Sequence, residues 1–304
     1  MGGRLPSDVD VPAGPTRAVR LVGTKLFELW RARELLVQLV RKELKVRYKN
    51  SALGFLWSML TPVLMTGVFS VVFTLIVRIP VDDFPAFFIS GYLLWQFFQN
   101  SCQGAIHSIV GNGDLVRKVY FPREVLPLSH VFAQLIHLLL ALLVLSPYLL
   151  YTRGIGVLLY LPVTLAAIAL LTLFASGMAM WFAGVNVVFR DLQELFVVIF
   201  QVWFYATPVI YPIALVSSML EGGRFAWIET LLVINPTTWF VELFRVGLFG
   251  PVVASGDATP RLVDGPPGLP DLATLGGAAG WAVVVLVLGY VVFLRRARTF
   301  AKEV

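Results

Sequence analysis

The chain has 304 residues, of which 58% are hydrophobic and only 14% charged, and its mean hydropathy is +0.81. Soluble domains are roughly 45–50% apolar and about 25% charged, so this composition excludes a soluble globular fold and predicts an integral membrane protein. The net charge of +6 would suit a nucleic acid, but basic residues beside membrane spans usually fix topology, and we predict no nucleic-acid partner.

The first fifty residues precede the first apolar segment and divide into two parts. Residues 1–20 are rich in Pro, Gly, Asp and Arg without an apolar core, which argues against a cleavable signal peptide, and we interpret residues 1–24 as a cytoplasmic tail. Residues 25–50 are amphipathic, with apolar side chains such as Leu29, Val37 and Leu44 at helical spacing. This pattern predicts a helix in the membrane interface, which either anchors the topology or forms a collar that holds lipid headgroups by its basic residues.

Residues 51–304 are predicted to form an all-α membrane domain with six transmembrane helices, since six segments approach the about 20 apolar residues that a bilayer requires. Residues 225–249 are also apolar but contain Glu242 and Arg245, so we expect short re-entrant or interfacial helices after span five. Residues 251–270 are rich in Pro, Gly and Asp, which predicts an exposed loop. The predicted spans are approximately 54–77, 87–109, 126–150, 158–183, 195–211 and 277–294.

The distribution of Lys and Arg orients these spans. With the N-terminus in the cytoplasm, the cytoplasmic segments carry 19 of these residues and the opposite side carries 5. The positive-inside rule therefore places the N-terminus inside, and an even number of spans places the C-terminus inside too. We expect a multi-pass protein of the cytoplasmic (inner) membrane, with the irregular end of span five, at Pro208 and Pro212, on the outer side.

Polar side chains form a stripe on span two. Its members are spaced by 3, 1, 3 and 4 residues, which puts them on one helical face: Gln96, Gln99, Asn100, Gln103 and His107. Span three repeats the pattern with His130, Gln134 and His137. Amides are costly in hydrocarbon, so this face is expected to meet protein or water. The stripe is consistent with hydrogen bonds between helices or with a polar translocation pathway, and its histidines show no metal-ligand pattern.

A short basic loop connects spans two and three. Its sequence over Gly111–Pro127 is GNGDLVRKVYFPREVLP, with Asp114 as the predicted N-cap of a helix that runs through Tyr120 and is ended by Pro122. The loop is either an ordinary connection with positive-inside charge or a docking surface for another protein.

Several motifs of enzymes are absent. No Gly-Lys dipeptide occurs, so the chain has no GxxxxGK[ST] nucleotide loop, and neither HExxH nor GxSxG is present. The single cysteine, Cys102, excludes an intrachain disulfide and a multi-cysteine metal site. We therefore predict a non-catalytic chain without metal or cofactor; if transport is ATP-driven, ATP and Mg are used by a separate subunit.

Four stretches, in order along the chain, match the pattern of one family. They are Arg41–Pro62 (RKELKVRYKNSALGFLWSMLTP), Lys118–Pro127 (KVYFPREVLP), Phe189–Pro212 (FRDLQELFVVIFQVWFYATPVIYP) and Asn235–Arg245 (NPTTWFVELFR). They resemble the Wzm-like membrane subunits of polysaccharide-exporting ABC transporters, which export O-antigen, galactan or teichoic acid. The resemblance covers the chain from about Trp30 to the C-terminus.

The resemblance implies a homodimer of six-span subunits that works with two separate ATPase chains. Residues 111–123 would contain the coupling helix that fits a cleft on the ATPase, and helix 25–50 would be the gate helix beside the incoming lipid headgroup. Polar and aromatic faces of spans one, two and five would line a channel for an undecaprenyl- or decaprenyl-type diphosphate-linked glycan. Segment 212–249 would close the outer mouth of that channel.

The residues that these roles single out fall into three groups. The ATPase-coupling group is Asp114, Leu115, Arg117, Lys118, Tyr120 and Arg123. The headgroup and gate group is Arg41, Lys45, Arg47, Tyr48 and Lys49. The channel-lining group is Trp57, Gln96, Gln99, Asn100, Gln103, His107, Gln134, Trp203, Tyr205 and Tyr211.

The favoured function is therefore an ATP-driven permease for lipid-linked polysaccharide. One alternative is an ABC exporter of a smaller lipid or a drug, which would share the architecture. Another is a membrane-embedded enzyme that modifies glycans, which would need a general base or metal carboxylates. The acidic residues available for that chemistry are scattered and form no paired motif: Asp82, Asp83, Asp191 and Glu194.

Overall fold

The computed structural model is helical apart from one short pair of strands. It describes residues 28–48, 56–79, 81, 83–189, 192–219, 226–250, 252–254, 262–264, 268–297 and 300. The helices are α1 (Arg33–Tyr48), α2 (Leu56–Ser70) continued by a π-helix (Val71–Ile76), α3 (Phe84–Ile106), α4 (Gly113–Lys118), α5 (Val125–Arg153), α6 (Leu161–Asn186), α7 (Leu192–Ala206), α8 (Ile213–Met219), α9 (Ala226–Ile234), α10 (Pro236–Leu248) and α11 (Leu272–Ala297). The predicted tail 1–24 lies outside the described residues.

The long helices pack into one bundle with α6 at its centre, where α6 contacts α3, α5, α10 and α11. The larger hydrophobic cluster fills the middle of the bundle and includes the buried residues of α10. A second cluster, which contains Leu39 of α1, Val116 of α4 and Phe293 of α11, fills one end. We call this the proximal end, and the opposite end, near α8–α10, the distal end.

Three helical segments are long and apolar enough to cross a membrane, judged by length and composition. Within the described residues they are Val125–Thr152, Ile155–Asn186 and Leu272–Ala297, which correspond to the predicted spans three, four and six. The predicted helical class is thus confirmed, and these three segments are candidate membrane spans. The prediction of six spans stays a prediction for the other three.

The other three predicted spans are helical but weaker, each for a local reason. The apolar stretch of α2 and its π-helix, Leu60–Ile76, is short, and the Gln and Asn side chains of the stripe lower the hydropathy of α3. Helix α7 ends at Ala206, five residues before the predicted boundary. Pro208 has no amide hydrogen for the helix, and the residue before a proline, Thr207, disfavours helical backbone.

The distal segment expected to be an exposed loop contains a small antiparallel hairpin. Val252–Ala254 pairs with Leu262–Asp264, with Val253 opposite Val263. Both short strands contain β-branched or other apolar residues, which favour extended backbone. The loop prediction relied on the Pro and Gly residues nearby and did not consider these two short stretches.

Helices α6 and α11 cross where two glycines meet. A Cβ atom on Gly177 would lie 2.6 Å from the Cα atom of Leu286, and one on Gly289 would lie 2.6 Å from the carbonyl carbon of Gly177. Only glycine permits so close an approach of two backbones. The spacing of Gly276 and Gly280 would also permit tight packing, but a Cβ at either meets no atom within 4 Å.

A buried arginine on α10 holds the turn that follows α7. The guanidinium of Arg245, which is 1% exposed, donates to the carbonyl oxygens of Pro208 at 2.5 Å and Val209 at 2.7 Å. It also pairs with Glu242 at 3.3 Å and lies 3.8 Å from the ring centroid of Phe87 on α3. We call this set of contacts the Arg245 clamp. The charge that the sequence places in the apolar segment 225–249 is thus buried among α10, the turn after α7 and α3.

We expect Gly289→Val to destabilise the fold, because the new side chain would push α11 away from α6. Overpacking of this kind costs about 1–3 kcal/mol, which should lower the thermal midpoint of the detergent-purified protein by several degrees. Gly280→Val is the control, since it places the same side chain on the same helix in open space. Equal midpoints for the two variants would contradict the close crossing.

We expect Arg245→Met to lower stability by about 3–5 kcal/mol, because it leaves Glu242 without its partner and the carbonyls of Pro208 and Val209 without donors. The measurement is again the thermal midpoint of the purified protein. Arg78→Met, at an exposed cation beyond the π-helix, should leave it nearly unchanged. If both variants melt like the parent chain, the clamp does not contribute to stability.

Candidate functional site

Helix α1 lies along the first half of α5 with one apolar face covered. Leu39 and Val40 are buried on that face. The interface helix predicted over 25–50 is thus a helix in its described part. Tyr48 is its last residue, and the Tyr48 side chain and all of Lys49 lie outside the described part of the chain. The other predicted gate residues are exposed: Arg41, Lys45 and Arg47.

A cavity of about 340 Å³, which we call the interface cavity, lies where the C-terminal half of α1 meets α3 and α5. It brings the predicted gate residue Arg47 together with three predicted channel residues. Its polar lining comes from all three helices, so the stripe on span two and its repeat on span three do face each other here. The cavity is lined by Glu43, Val46, Arg47, Asn100, Gln103, Gly104, His130, Ala133, Gln134 and His137.

Two polar contacts hold α1 over the interface cavity. The carboxylate of Glu43 lies 3.5 Å from Nδ1 of His130, and Arg47 donates to Oε1 of Gln134 at 3.1 Å. A Cβ atom on Gly104 would lie 2.8 Å from Nδ1 of His130, so the glycine on α3 is what allows this imidazole to approach. Glu43 was missed as a site residue because it lies in the sequence among several basic residues of α1, which drew attention to the cations alone.

The rest of the stripe is distributed along α3. Gln99 accepts a hydrogen bond from Nε1 of Trp95 at 2.9 Å, on the same helix. Gln96 is half-buried nearer the distal end, and His107 is exposed at the C-cap position of α3. Only Asn100 and Gln103 of this stripe therefore line the interface cavity.

The aromatic residues predicted to line a channel occupy different surroundings. Trp203 of α7 donates from Nε1 to Oδ1 of Asn235 at 2.9 Å, and its ring packs against Phe98 with centroids 5.1 Å apart. Tyr211 is half-buried and donates to the backbone carbonyl of Tyr205, whose own side chain is exposed. Trp57 lies in α2, but its side chain is outside the described part of the structure.

Asn235 joins α7 to α10 and was not predicted as a site residue. Its Nδ2 donates to the carbonyl of Ala206 at 3.0 Å and to Oγ1 of Thr207 at 3.1 Å, and its Oδ1 caps the N-terminus of α10 at Thr237. The Asn-Pro pair at the start of α10 was a visible N-cap signal, since Asn precedes Pro at the first helical position. Its long-range contacts were not readable from local sequence.

Helix α4 begins and ends earlier than predicted. Gly113 is already helical, so Asp114 lies in the first turn and not at the N-cap. Its carboxylate pairs with the ammonium of Lys118 at 3.5 Å. Val119 is extended, with φ −127° and ψ 135°, which ends the helix before Tyr120. The proline that follows is therefore not what ends it.

One face of α4 is anchored and the other is exposed. Val116 is buried in the proximal cluster, and Leu115 is half-buried against it. Lys42 of α1 donates to Oδ1 of Asn112 at 3.1 Å, directly before α4. The exposed predicted coupling residues are Asp114, Arg117, Lys118 and Tyr120.

A cleft of about 870 Å³ separates the start of α1 from residues 119–124 and the end of α11. Tyr120 lines it and is 99% exposed. Arg123 turns inward, where it donates to the backbone carbonyl of Ala297 and lies 5.9 Å from the ring centroid of Phe300. Among the described residues, no three His, Cys, Asp or Glu side chains gather in a way that could hold a metal ion.

Comparison with known proteins identifies the family. The model of the ABC-2 type transporter family matches residues 34–249. The O-antigen export system permease protein RfbA of Myxococcus xanthus is 32% identical over 280 residues, which cover 91% of this chain and 98% of that protein. RfbA of Klebsiella pneumoniae is 32% identical over 213 residues, 70% of this chain and 79% of its own length.

A more distant relative has a related name. The capsule polysaccharide export inner-membrane protein CtrC of Neisseria meningitidis is 24% identical over 231 residues, which cover 72% of this chain and 80% of that protein. The resemblance to Wzm-like permeases seen in the four sequence stretches is thereby confirmed. The chain belongs to the ABC-2 type transporter family of membrane permeases.

Proposed function

We propose that this chain is the membrane subunit of an ATP-driven exporter that moves a lipid-linked polysaccharide across the cytoplasmic membrane. The observation that carries the proposal is the interface cavity, where the amphipathic helix α1 meets the polar stripes of α3 and α5. Polar groups in a membrane helix face protein or water, so the stripes of α3 and α5 suit a polar route. An amphipathic helix such as α1 at the mouth of that route suits a substrate with a polar chain and a lipid anchor. The relatives named for O-antigen and capsule export support a glycan as that polar chain.

In this proposal a separate chain supplies ATP hydrolysis, which the absence of a nucleotide-binding loop from this sequence supports. The exposed face of α4 and the adjoining Tyr120 are the proposed docking surface for that ATPase. A helix held on one side by buried Val116 and presenting charges on the other can transmit a push as a rigid element.

The push would reach α1 through two contacts. Val116 and Leu39 belong to the same hydrophobic cluster, and Lys42 binds Asn112 beside the start of α4. A displacement of α4 therefore strains the helix that covers the interface cavity. ATP binding by the partner would lift α1 and open the route between α3 and α5.

The exposed cations of α1 are the proposed contact for the diphosphate of the carrier lipid. Arg41 and Lys45 lie on the side of α1 that faces away from α5, and Lys49 would continue that row. Cationic side chains on an interfacial helix attract anionic headgroups, at about 1 kcal/mol for each residue near the surface.

We further propose the full topology of six spans with both termini in the cytoplasm. The proximal end, with α1 and α4, would face the cytoplasm, and α2, α3 and α7 would complete the spans inside an assembly. The hairpin of α9 and α10 would be re-entrant and would close the outer mouth, since irregular backbone is tolerated at membrane depth only where protein satisfies it.

A second copy of the chain would cover the free face of α7. This helix turns Phe200 and Phe204 toward the bundle, while Leu195, Val198 and Val202 on the other face are exposed. With 15 residues, α7 is about 22 Å long, less than the about 30 Å of the hydrocarbon layer. Protein on its outer face would shield the polar ends of so short a helix.

We expect Tyr120→Ala to weaken association with the ATPase subunit without changing the fold, because this side chain is 99% exposed. Export of polysaccharide and co-purification of the ATPase should both fall severalfold. Tyr151→Ala is the matched control, since Tyr151 is 89% exposed at the distal end of α5 and should behave like the parent chain. Equal co-purification of the ATPase by both variants would contradict docking at residues 114–120.

We expect Val202→Cys to give a cross-linked dimer in membranes treated with a short bis-maleimide. Cys102, the only native cysteine, is fully buried and should not react. Leu143→Cys on α5 is the control, because its exposure of 67% matches the 65% of Val202 but it lies on a different helix. Cross-linking through position 143 and not through position 202 would place the second copy elsewhere.

A further inference from the structure

We propose that the interface cavity binds an uncharged sugar unit of the exported glycan, and that the diphosphate binds elsewhere, on the exposed face of α1. The inference rests on the proposed function and adds that the two faces of α1 bind different parts of the substrate. It follows from the donors, acceptors and charges that line the cavity.

The cavity has hydrogen-bonding groups without a partner in the protein. Within the described part of the chain, the side-chain amides of Asn100 and Gln103 make no hydrogen bond, and Gln134 uses only its oxygen, on Arg47. Each amide carries two N–H donors and an acceptor oxygen, and it loses free energy in a membrane interior unless a polar group meets it. The cavity therefore needs water or another polar occupant, and these free amides are available to bind one.

The charges in the cavity argue against a phosphate. Glu43 and Arg47 have opposite charges that cancel, and Arg47 is the only Lys or Arg among the lining residues that the structure describes. Phosphate sites combine several converging cations or backbone N–H groups, whereas here the carboxylate of Glu43 would repel an anion. Sugar hydroxyls both donate and accept, so they can pair with the amides and imidazoles of this cavity, which do the same, and can donate to the carboxylate, which only accepts.

The cavity is large enough for one sugar ring. A single water needs at least about 10–15 Å³ of such cavity volume, so about 340 Å³ has room for a sugar ring together with waters. Arg41 and Lys45 lie on the other side of α1, across a helix about 10 Å wide. The diphosphate can therefore bind the outer face of α1 only while a sugar unit further along the same glycan, and not the first sugar, occupies the cavity.

The test uses the full chain in complex with its ATPase subunit in nanodiscs and two probes. One probe is the lipid-linked glycan extracted from the source strain, and the other is the polyprenyl diphosphate left after mild acid removes its glycan. Thermal stabilisation of the complex by each lipid gives an apparent Kd. The parent complex should bind the glycolipid more tightly than the bare lipid.

The double variant Asn100→Leu/Gln103→Leu should lose most of that preference. Each lost hydrogen bond weakens binding by about fivefold, so the glycolipid should bind about 10- to 30-fold more weakly while the Kd of the bare lipid stays unchanged. Gln193→Leu, an amide exposed on α7, is the matched control. Arg41→Ala/Lys45→Ala should instead weaken both probes by the same factor.

A second variant guards against a folding defect. Ala133→Leu fills the cavity from α5 without removing an amide, and it should reduce the preference for the glycolipid in the same way. If the Asn100/Gln103 variant weakens both probes equally, or neither, while the parent complex binds both, the sugar site is overturned and the proposed export function is not. If the parent complex binds neither lipid, the proposed function fails together with the site.

Discussion

The break at the end of α7 is the constraint on which the distal half of the molecule depends. Where a helix stops at membrane depth, its last carbonyls have no intrahelical partner and no water to replace it. Here the partners come from the segment that follows: the Tyr211 hydroxyl donates to Tyr205, Asn235 donates to Ala206, and Arg245 donates to Pro208 and Val209. The chain must therefore fold α9 and α10 back onto α7. A cation is a fitting donor, since one guanidinium reaches two carbonyls, but its burial then requires the nearby carboxylate on the same helix.

The same contacts connect the distal break to the helix that carries the polar stripe. Asn235 accepts from Trp203, whose ring packs on Phe98 of α3 in an edge-to-face arrangement. Arg245 lies over the ring of Phe87, also on α3. Helices α3, α7 and α10 are thus joined by aromatic and hydrogen-bonded contacts that are directional, so they should move as one body. Helix α1, in contrast, is attached at the proximal end through a small apolar cluster and a few polar contacts, which makes it the element best suited to move separately.

The sequence predicted features that depend on periodicity or composition, and missed those that depend on long-range pairing. The stripe on α3 and its repeat on α5 were found because polar residues at spacing of three and four share a helical face. The membrane class and the family followed from composition and from ordered motifs. The role of Arg245 was missed because nothing local distinguishes a buried arginine from a surface one. Glu43 and Gly104 were missed for the same reason, since their value comes from His130, which lies on another helix.

The helices that are hardest to recognise as spans are those that carry the candidate function. Helix α3 is weakly apolar because of its amides, α7 is short because of Pro208, and α10 contains a buried ion pair. A helix that only anchors a protein in lipid gains nothing from amides, an early end or an ion pair. Each of these polar groups costs free energy unless protein or water contacts it. The clean spans, α5, α6 and α11, therefore form the frame, with α6 and α11 held in close contact by glycines. The polar groups of the weaker helices must meet protein or water and not lipid, and in the proposed exporter the substrate would pass along such an interior surface.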